Sequence, residues 1–333
     1  MVAAVINFNG WTVLHSCLES IFLQSYPLQE VLVVDNNSTD GSLERLRRYP
    51  HPLRLLWNEK NLGFAGGANR AIRETESDYL LLMNPDVILS PTFLERLVSF
   101  AEAHPEGGSF GGKLLRFAAD KGSEIIDSTG HILYRSRWVV NRGEGEKDEG
   151  QFEEAGEVFG VCAAAALYRR VMLEDVRQDE EYLDEDFFLY LEDVDLDWRA
   201  RLRGWKAYYV PSATARHQRG YGKLWESRNH QVLRHCLRNR YLLLLKNDTV
   251  RDLLRDAWAV IPFELLRFFK YLLFSPSSLR GYWDWLPWTG RLLRKRRHIQ
   301  KGIRITPRER RRWFARSGIG KSMRQRLGAV RFF

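Results

Sequence analysis

The chain has 333 residues, 44% of them hydrophobic and 28% charged, which excludes a disordered polymer and allows a full core in one large domain plus an appendage. Its net charge of +9 is unevenly placed: from residue 291 to 333 sixteen Lys and Arg meet one Glu, or +15, leaving −6 for residues 1–290. A basic end of that kind points to an anionic partner, and three scattered cysteines (Cys17, Cys162, Cys236) match no zinc spacing and suit a reducing cytosol.

In chain order, no basic stretch followed by an apolar run opens the sequence, so no signal peptide is expected. Short apolar strands then alternate with amphipathic helices, the pattern of a mostly parallel α/β sheet. Strands are expected over 2–8, 31–34, 53–57 and 79–83. Trp11, Leu14, Leu18, Ile21 and Phe22 recur at helical spacing. Ser90-Pro91 reads as a helix start, with the helix running to about Ala103. Residues 105–157 are rich in glycine and charge, with weak strand signals at 113–117 and 125–127, and suit a loop-rich acceptor region. The buried pattern resumes over 158–168, followed by a helix over 192–203 and a last strand over 207–210. Beyond about Tyr221 aromatic-studded helices take over. Their most apolar window, 253–274, holds Arg255, Asp256, Glu264, Arg267 and Lys270, so no spanning helix is expected.

Ligands of open α/β sheets bind beyond the carboxyl ends of the strands. Those ends carry Phe8-Asn9-Gly10, Asp35-Asn36-Asn37 and Asn84-Pro85-Asp86. Turn chemistry accounts for Asp40-Gly41, whereas Asp35 can accept the imide N–H of a pyrimidine. The run Asn61 to Asn69, with Gly63 and Gly66, opens a helix and suits either a diphosphate on backbone N–H groups or close helix–sheet packing. It is neither a GxGxxG fingerprint nor a P-loop. Asp86 suits a divalent cation that also holds phosphates, or a helix-entry turn. Glu192, Asp193, Asp195 and Asp197 place four acids in six positions, costly unless a helix N-terminus, a metal or cations offset them. An EF-hand is excluded, because its glycine and final glutamate positions hold Trp198 and Gly204. Asp184, Glu185 and Asp186 read as surface or loop charge. His217 is a structural histidine or, with Asp86, a metal ligand.

Together these runs, in order and spacing, resemble the inverting family 2 glycosyltransferases of GT-A fold, bacterial rhamnosyltransferases of cell-envelope polysaccharide synthesis in particular. The resemblance covers roughly residues 1–220. It implies a catalytic base at Asp193, a pyrimidine contact at Asp35 and a ribose contact at Asn84. Phe8, Asn9, Asn36, Asn61, Gly63, Gly66 and Asn69 would complete the donor site, with Mg²⁺ or Mn²⁺ on Asp86 and His217. Two departures stand out. Asn84 replaces the first acid of the DxD motif, and the QxxRW motif of processive synthases is reduced to Gln231-Val232-Leu233-Arg234-His235.

The implied activity is metal-dependent, inverting transfer from a UDP- or dTDP-sugar, dTDP-rhamnose first, to a lipid-linked glycan at the cytoplasmic face of the plasma membrane. A GT-A domain is expected over 1–225 and a helical, basic, membrane-associating region over 226–333. Tyr282, Trp283, Trp285 and Trp288 favour an anionic membrane surface over nucleic acid as its partner. A glycoside hydrolase would need no nucleotide site, and the GxGxR loop of a sugar-nucleotide pyrophosphorylase is missing. A catalytically silent scaffold leaves Asp86 and Asp193 unexplained.

Overall fold

The protein is described by a computed structural model over residues 1–117, 124–219 and 230–315. Two compact units are distinguished: Met1–His131 with Val140–Gly222, and Ile132–Val139 with Lys223–Phe333. The expected boundary at 225 and the basic sequence past 315 lie outside the described residues.

The first unit opens with β1 (Val2–Asn7), α1 (Trp11–Phe22), β2 (Glu30–Asp35), α2 (Ser42–Leu46), β3 (Arg54–Trp57), α3 (Gly63–Arg73) and β4 (Tyr79–Met83). It continues through β5 (Val87–Leu89), α4 (Phe93–Ala103), β6 (Gly107–Arg116), β7 (Ile126–Ser128), β8 (His131–Tyr134), β9 (Val139–Asn141), β10 (Gly156–Val158), β11 (Ala165–Arg169), α5 (Arg170–Val176), α6 (Glu192–Arg203) and β12 (Lys206–His217). Residues 132–139 of β8, β9 and the turn between them belong to the second unit.

The large sheet has the order β10-β12-β6-β11-β4-β1-β2-β3, with β5 on β12 and β7 on β6. β1 is parallel to β2 and β4, β2 to β3 and β6 to β12, while β11 runs against both neighbours. Alternate side chains feed two cores, as the pleat requires. Ala3, Val5, Val33 and Leu81 pack with Leu14 and Leu18 of α1 and with Leu97 of α4. Val2, Ala4, Ile6, Leu32 and Leu82 pack with Ala68 and Ile72 of α3 and with Leu196 of α6. Strands buried on both faces read as continuous apolar runs, which is why they stand out in the sequence.

Three expectations change. The weak signal at 113–117 is the end of β6, a ten-residue strand whose two Gly-Gly pairs hide its β pattern. The last strand does not stop at Val210; β12 runs twelve residues, with a register shift between Val210 and Thr214 that accommodates Pro211. At α4 the N-cap is Thr92, while the Ser90 carbonyl accepts the Phe93 N–H in the preceding turn.

The second unit contains α7 (His230–Asn247), α8 (Val250–Arg255), α9 (Ala257–Phe274), α10 (Thr289–Lys301), α11 (Pro307–Trp313) and the two-residue β13 (Phe314–Ala315), parallel to Leu133–Tyr134. No helix among the described residues is long and apolar enough to cross a membrane. Three of the four expected surface aromatics are half-buried. Tyr282 packs against Tyr241 and Phe268, Trp285 donates its indole N–H to the Tyr282 carbonyl, and Trp288 lies under Arg238 and Arg291. Trp283 alone of the four is exposed.

The centre of this unit is ionic. The fully buried Arg137 donates to Asp248 Oδ2 at 2.7 Å and Asp256 Oδ2 at 2.8 Å, and its guanidinium stacks on Phe314. Burial raises the Asp248 carboxyl despite this cation; at Asp256 burial is outweighed by Arg255 and Arg137. Arg137→Met should therefore destabilise the unit by about 3–5 kcal/mol, since it strands the buried Asp248, while Asp256 keeps Arg255. Chemical unfolding followed by far-UV circular dichroism measures this; a cost within experimental error would mean that water reaches Asp248.

Candidate functional site

The strand ends carry a hydrogen-bonded scaffold. Asp35, fully buried, accepts from Asn7 Nδ2 at 2.8 Å, the Ser38 hydroxyl at 2.7 Å and the Ser38 N–H at 2.9 Å. Asn9 takes a left-handed conformation (φ 53°) and accepts the Thr39 N–H. Asn36 donates to the Gly63 carbonyl and accepts from Asn58. Phe8 and Asn84 are half-buried beside this scaffold at the ends of β1 and β4.

The glycine run serves packing. A Cβ on Gly63 (φ 69°) would lie 2.2 Å from the Phe188 carbonyl, one on Gly66 2.7 Å from Leu62, and one on Gly67 2.6 Å from Ile6. The Gly63 N–H is capped by Asn61 Oδ1, and the Ala65 N–H goes to Phe188, so two of the first donors of α3 are already engaged. Asn69 is fully buried; its amide donates to the Leu183 carbonyl and Glu185 and accepts from Tyr182 and Leu183. These contacts correct the reading of Asn69 as a donor-site residue: it ties α3 to the segment before α6. The same segment decides another reading: of the surface or loop alternatives, Asp184 takes the loop one, buried and capping a single turn.

β5, β7 and β12 bring together a second cluster. Register places His217 opposite Val87, next to Asp86. His217 Nδ1 lies 2.8 Å from Asp127 Oδ2, and Nε2 lies 3.4 Å from Asp86 Oδ1, all three groups being buried. Burial opposes a charge on His217, but hydrogen bonds and the charges of Asp127 and Asp86 raise its pKa to about 9. Burial likewise opposes ionisation of Asp127, yet His217, Arg219 and Arg116 bring its pKa down to about 2. Among the described residues Asp86 Oδ1 has no hydrogen-bond partner despite its burial. An orphaned carboxylate oxygen facing an imidazole whose other nitrogen is held by a carboxylate fits a divalent cation, with Asp127 orienting the histidine. Asp127 was missed in the sequence, since nothing near Asp127-Ser128-Thr129 marks it.

The four acids of α6 have separate fates. Asp195 pairs with Arg199 at 2.9 Å. Asp197 accepts from Ser109 Oγ and the Val161 N–H, with Gly160 packed so closely that a Cβ there would lie 2.5 Å from its carboxylate. Burial, together with Asp193 and Asp195, pushes the Glu192 carboxyl well above its usual range. Asp193 alone of the four is partly open, fixed by the Ala163 N–H at 3.1 Å and the Val194 N–H at 2.8 Å. His131 Nε2 stands 3.7 Å from its Oδ2, and burial lowers that imidazole's pKa. The donor atoms of His131, Cys162 and Asp193 lie within 4.8 Å of one another. Burial raises the Cys162 thiol, and the charges of Asp193 and Asp127 add to that rise. Phe188, Tyr190 and Leu191 all have positive φ immediately before α6, a concentration of backbone strain typical of functional sites.

The profile of Glycosyl transferase family 2 matches residues 3–177. The N-acetylglucosaminyl-diphospho-decaprenol L-rhamnosyltransferase of Mycobacterium tuberculosis is 28% identical over 259 residues, 72% of this chain and 82% of the relative. The O-antigen biosynthesis protein RfbC of Myxococcus xanthus is 28% identical over 57% of this chain, which spans only 15% of that protein. Among solved structures, GalNAc-T7 with UDP, GalNAc and Mn²⁺ superposes with a TM-score of 0.57 at 12% identity, over 74% of this chain and 47% of that one. S. aureus TarS 1-349 in complex with UDP-GlcNAc gives 0.52 at 16% identity, over 91% and 83%. The chain belongs to glycosyl transferase family 2, is related to rhamnosyltransferases and carries the GT-A fold.

Burial raises the Asp197 carboxyl to about 7, against hydrogen bonds from Ser109 and Val161. Folding therefore takes up a proton there. That contribution to stability is complete below about pH 4, the unfolded value, and lost as pH rises through 7. Asp197→Asn keeps an acceptor for Val161 and should flatten the loss. Urea unfolding at about pH 5 and pH 8 should show wild type falling relative to the variant; parallel curves would place the proton elsewhere.

Proposed function

We propose that this glycosyltransferase moves a sugar, with inversion, from a UDP- or dTDP-linked donor to a lipid-linked glycan, at the cytoplasmic face of a membrane that its basic helical unit contacts peripherally. The observation carrying this reading is Asp193: the partly open acid of α6, fixed by two N–H groups and standing beside the buried His131. dTDP-rhamnose is our first donor and a polyprenyl-diphosphate-linked glycan our first acceptor, by analogy with the named mycobacterial relative.

The chemistry needs one displacement at the anomeric carbon. An acceptor hydroxyl attacks, the bond to the donor phosphate breaks, and the configuration inverts. The Asp193 carboxylate would take the hydroxyl proton as the new bond forms. Its two N–H contacts keep it aimed, and His131 beside Oδ2 limits its rotation. Asp86 and His217 would hold Mg²⁺ or Mn²⁺, which when bound neutralises charge on the departing diphosphate. Asn84, half-buried beside Asp86, would meet the ribose. Asp35 fixes the loop at Ser38 and would reach the pyrimidine through a lone pair that its own contacts leave unused. On the membrane side, each Lys or Arg near an anionic surface contributes about 1 kcal/mol.

Asp193→Asn should lower transfer at least about a hundredfold, with nucleotide affinity unchanged, in an assay of sugar transfer beside calorimetric nucleotide binding. Near-normal turnover would remove Asp193 from this role. Nucleoside diphosphate binding should also require Mg²⁺ or Mn²⁺. It should be abolished by excess chelator and by Asp86→Ala, and Asp127→Asn should weaken metal affinity about 10–100-fold by releasing the His217 ring. Metal-independent binding would dissolve the proposed cation site.

A further inference from the structure

Helix α9 is turned inside out. At 100° per residue, an arc of roughly 140° from Trp258 to Leu273 holds only apolar side chains, and they point to solvent. Trp258 is 62% exposed, Leu266 66%, Phe269 55% and Leu273 72%, with Ile261 and Leu265 between them. The polar groups face the other way. Glu264 accepts from Arg240 Nε at 2.7 Å and the Tyr241 hydroxyl at 2.6 Å. The Arg267 guanidinium lies over the Phe263 and Tyr271 rings. A helix in contact with water alone shows the opposite arrangement, and a continuous apolar arc of this extent marks an interaction surface.

The charge of the unit identifies the occupant. Residues 230–315 hold twenty Lys and Arg against six Asp and Glu, net +14. Every one of the six acids is engaged: Asp248 and Asp256 with Arg137, Asp252 with Arg310, Glu264 with Arg240, Asp284 with Arg234, and Glu309 in the cap of α11. The excess on this unit is therefore cationic, with Arg251, Arg280, Arg291, Arg294 and Arg297 exposed. An eighteen-residue helix, about 27 Å long, can lie along a bilayer surface, yet is not apolar enough to cross one. Apolar insertion beside a polybasic surface supplies the two signals that stable peripheral attachment needs.

We infer that the outward arc of α9 is a membrane-insertion face, lying flat in the headgroup region of an anionic phospholipid bilayer that the cationic excess of the same unit favours. This deepens the membrane reading above and moves the anchor away from the tryptophan-rich turn, which is largely packed internally. A nucleic acid would satisfy the arginines and leave the apolar arc wet. A second copy of the chain would cover the arc but bring the same excess of positive charge to it.

The test uses the full chain and vesicles of phosphatidylcholine, alone or mixed with an equal part of phosphatidylglycerol. Wild type should sediment with the mixed vesicles, more weakly at high salt. Leu265→Glu with Phe269→Glu should lower partitioning at least about a hundredfold, as expected for two large apolar side chains kept from insertion. Both positions are exposed, so the melting temperature should hold, and transfer to a short water-soluble acceptor should be unchanged. Equal partitioning of the two proteins, or none by wild type, overturns the proposal. So does a lipid-free dimer that the double substitution converts to monomer, which assigns the arc to a second copy. If neither protein transfers sugar while the partitioning difference stands, the catalytic reading fails and the insertion face survives.

Discussion

His217 sits between two buried carboxylates, and the ordering of the site depends on that arrangement. One imidazole nitrogen is held by Asp127 on β7 and the other faces Asp86 at the start of β5, so three chain segments are fixed by one ring. Removing three ionisable groups from water is costly unless each finds a partner. Here Asp127 holds one nitrogen of the ring, with Arg116 and Arg219 completing its surroundings. Asp86 Oδ1 finds no hydrogen-bond partner among the described residues, an arrangement that suits a cation better than an empty core.

The segment before α6 works on a different principle. Three non-glycine residues in left-handed conformations precede Asp193, each at a conformational cost that only surrounding contacts can offset. Those contacts are identifiable: Gly63 makes room for Phe188, the Phe188 carbonyl takes the Ala65 N–H, and Asn69 gathers the backbone of 182 and 183. The glycine-rich run therefore acts on Asp193 indirectly, by holding the loop that delivers it.

The doubly buried strands and the helices between them were legible because they follow apolar runs and helical spacing. Asp86, Asp193 and His217 were legible as candidates because each follows a strand or opens a helix. Asp127 was not, since its meaning comes from β7 pairing with β6, a contact made across the sheet. Nor was the role of Asn69, because a buried asparagine saturated by backbone and one exposed to a ligand have the same sequence. The aromatic turn at 282–288 misled for a similar reason: composition counts rings but does not say which face water. In α9 the apolar residues were plain in the sequence, whereas their direction required the packed partners of Glu264.

The bulge in β12 sets the phase of everything beyond it. Between Val210 and Thr214 the strand slips relative to β6, and only after that slip does His217 come level with Arg116 and Val87. Side chains alternate faces along a strand, so losing or gaining one residue at Pro211–Ser212 would turn His217 to the opposite side of the sheet while leaving every other residue of the site in place. Length in this short stretch is thus under tighter constraint than identity, and a chain with an altered count there would have to bring a histidine to Asp86 and Asp127 from elsewhere.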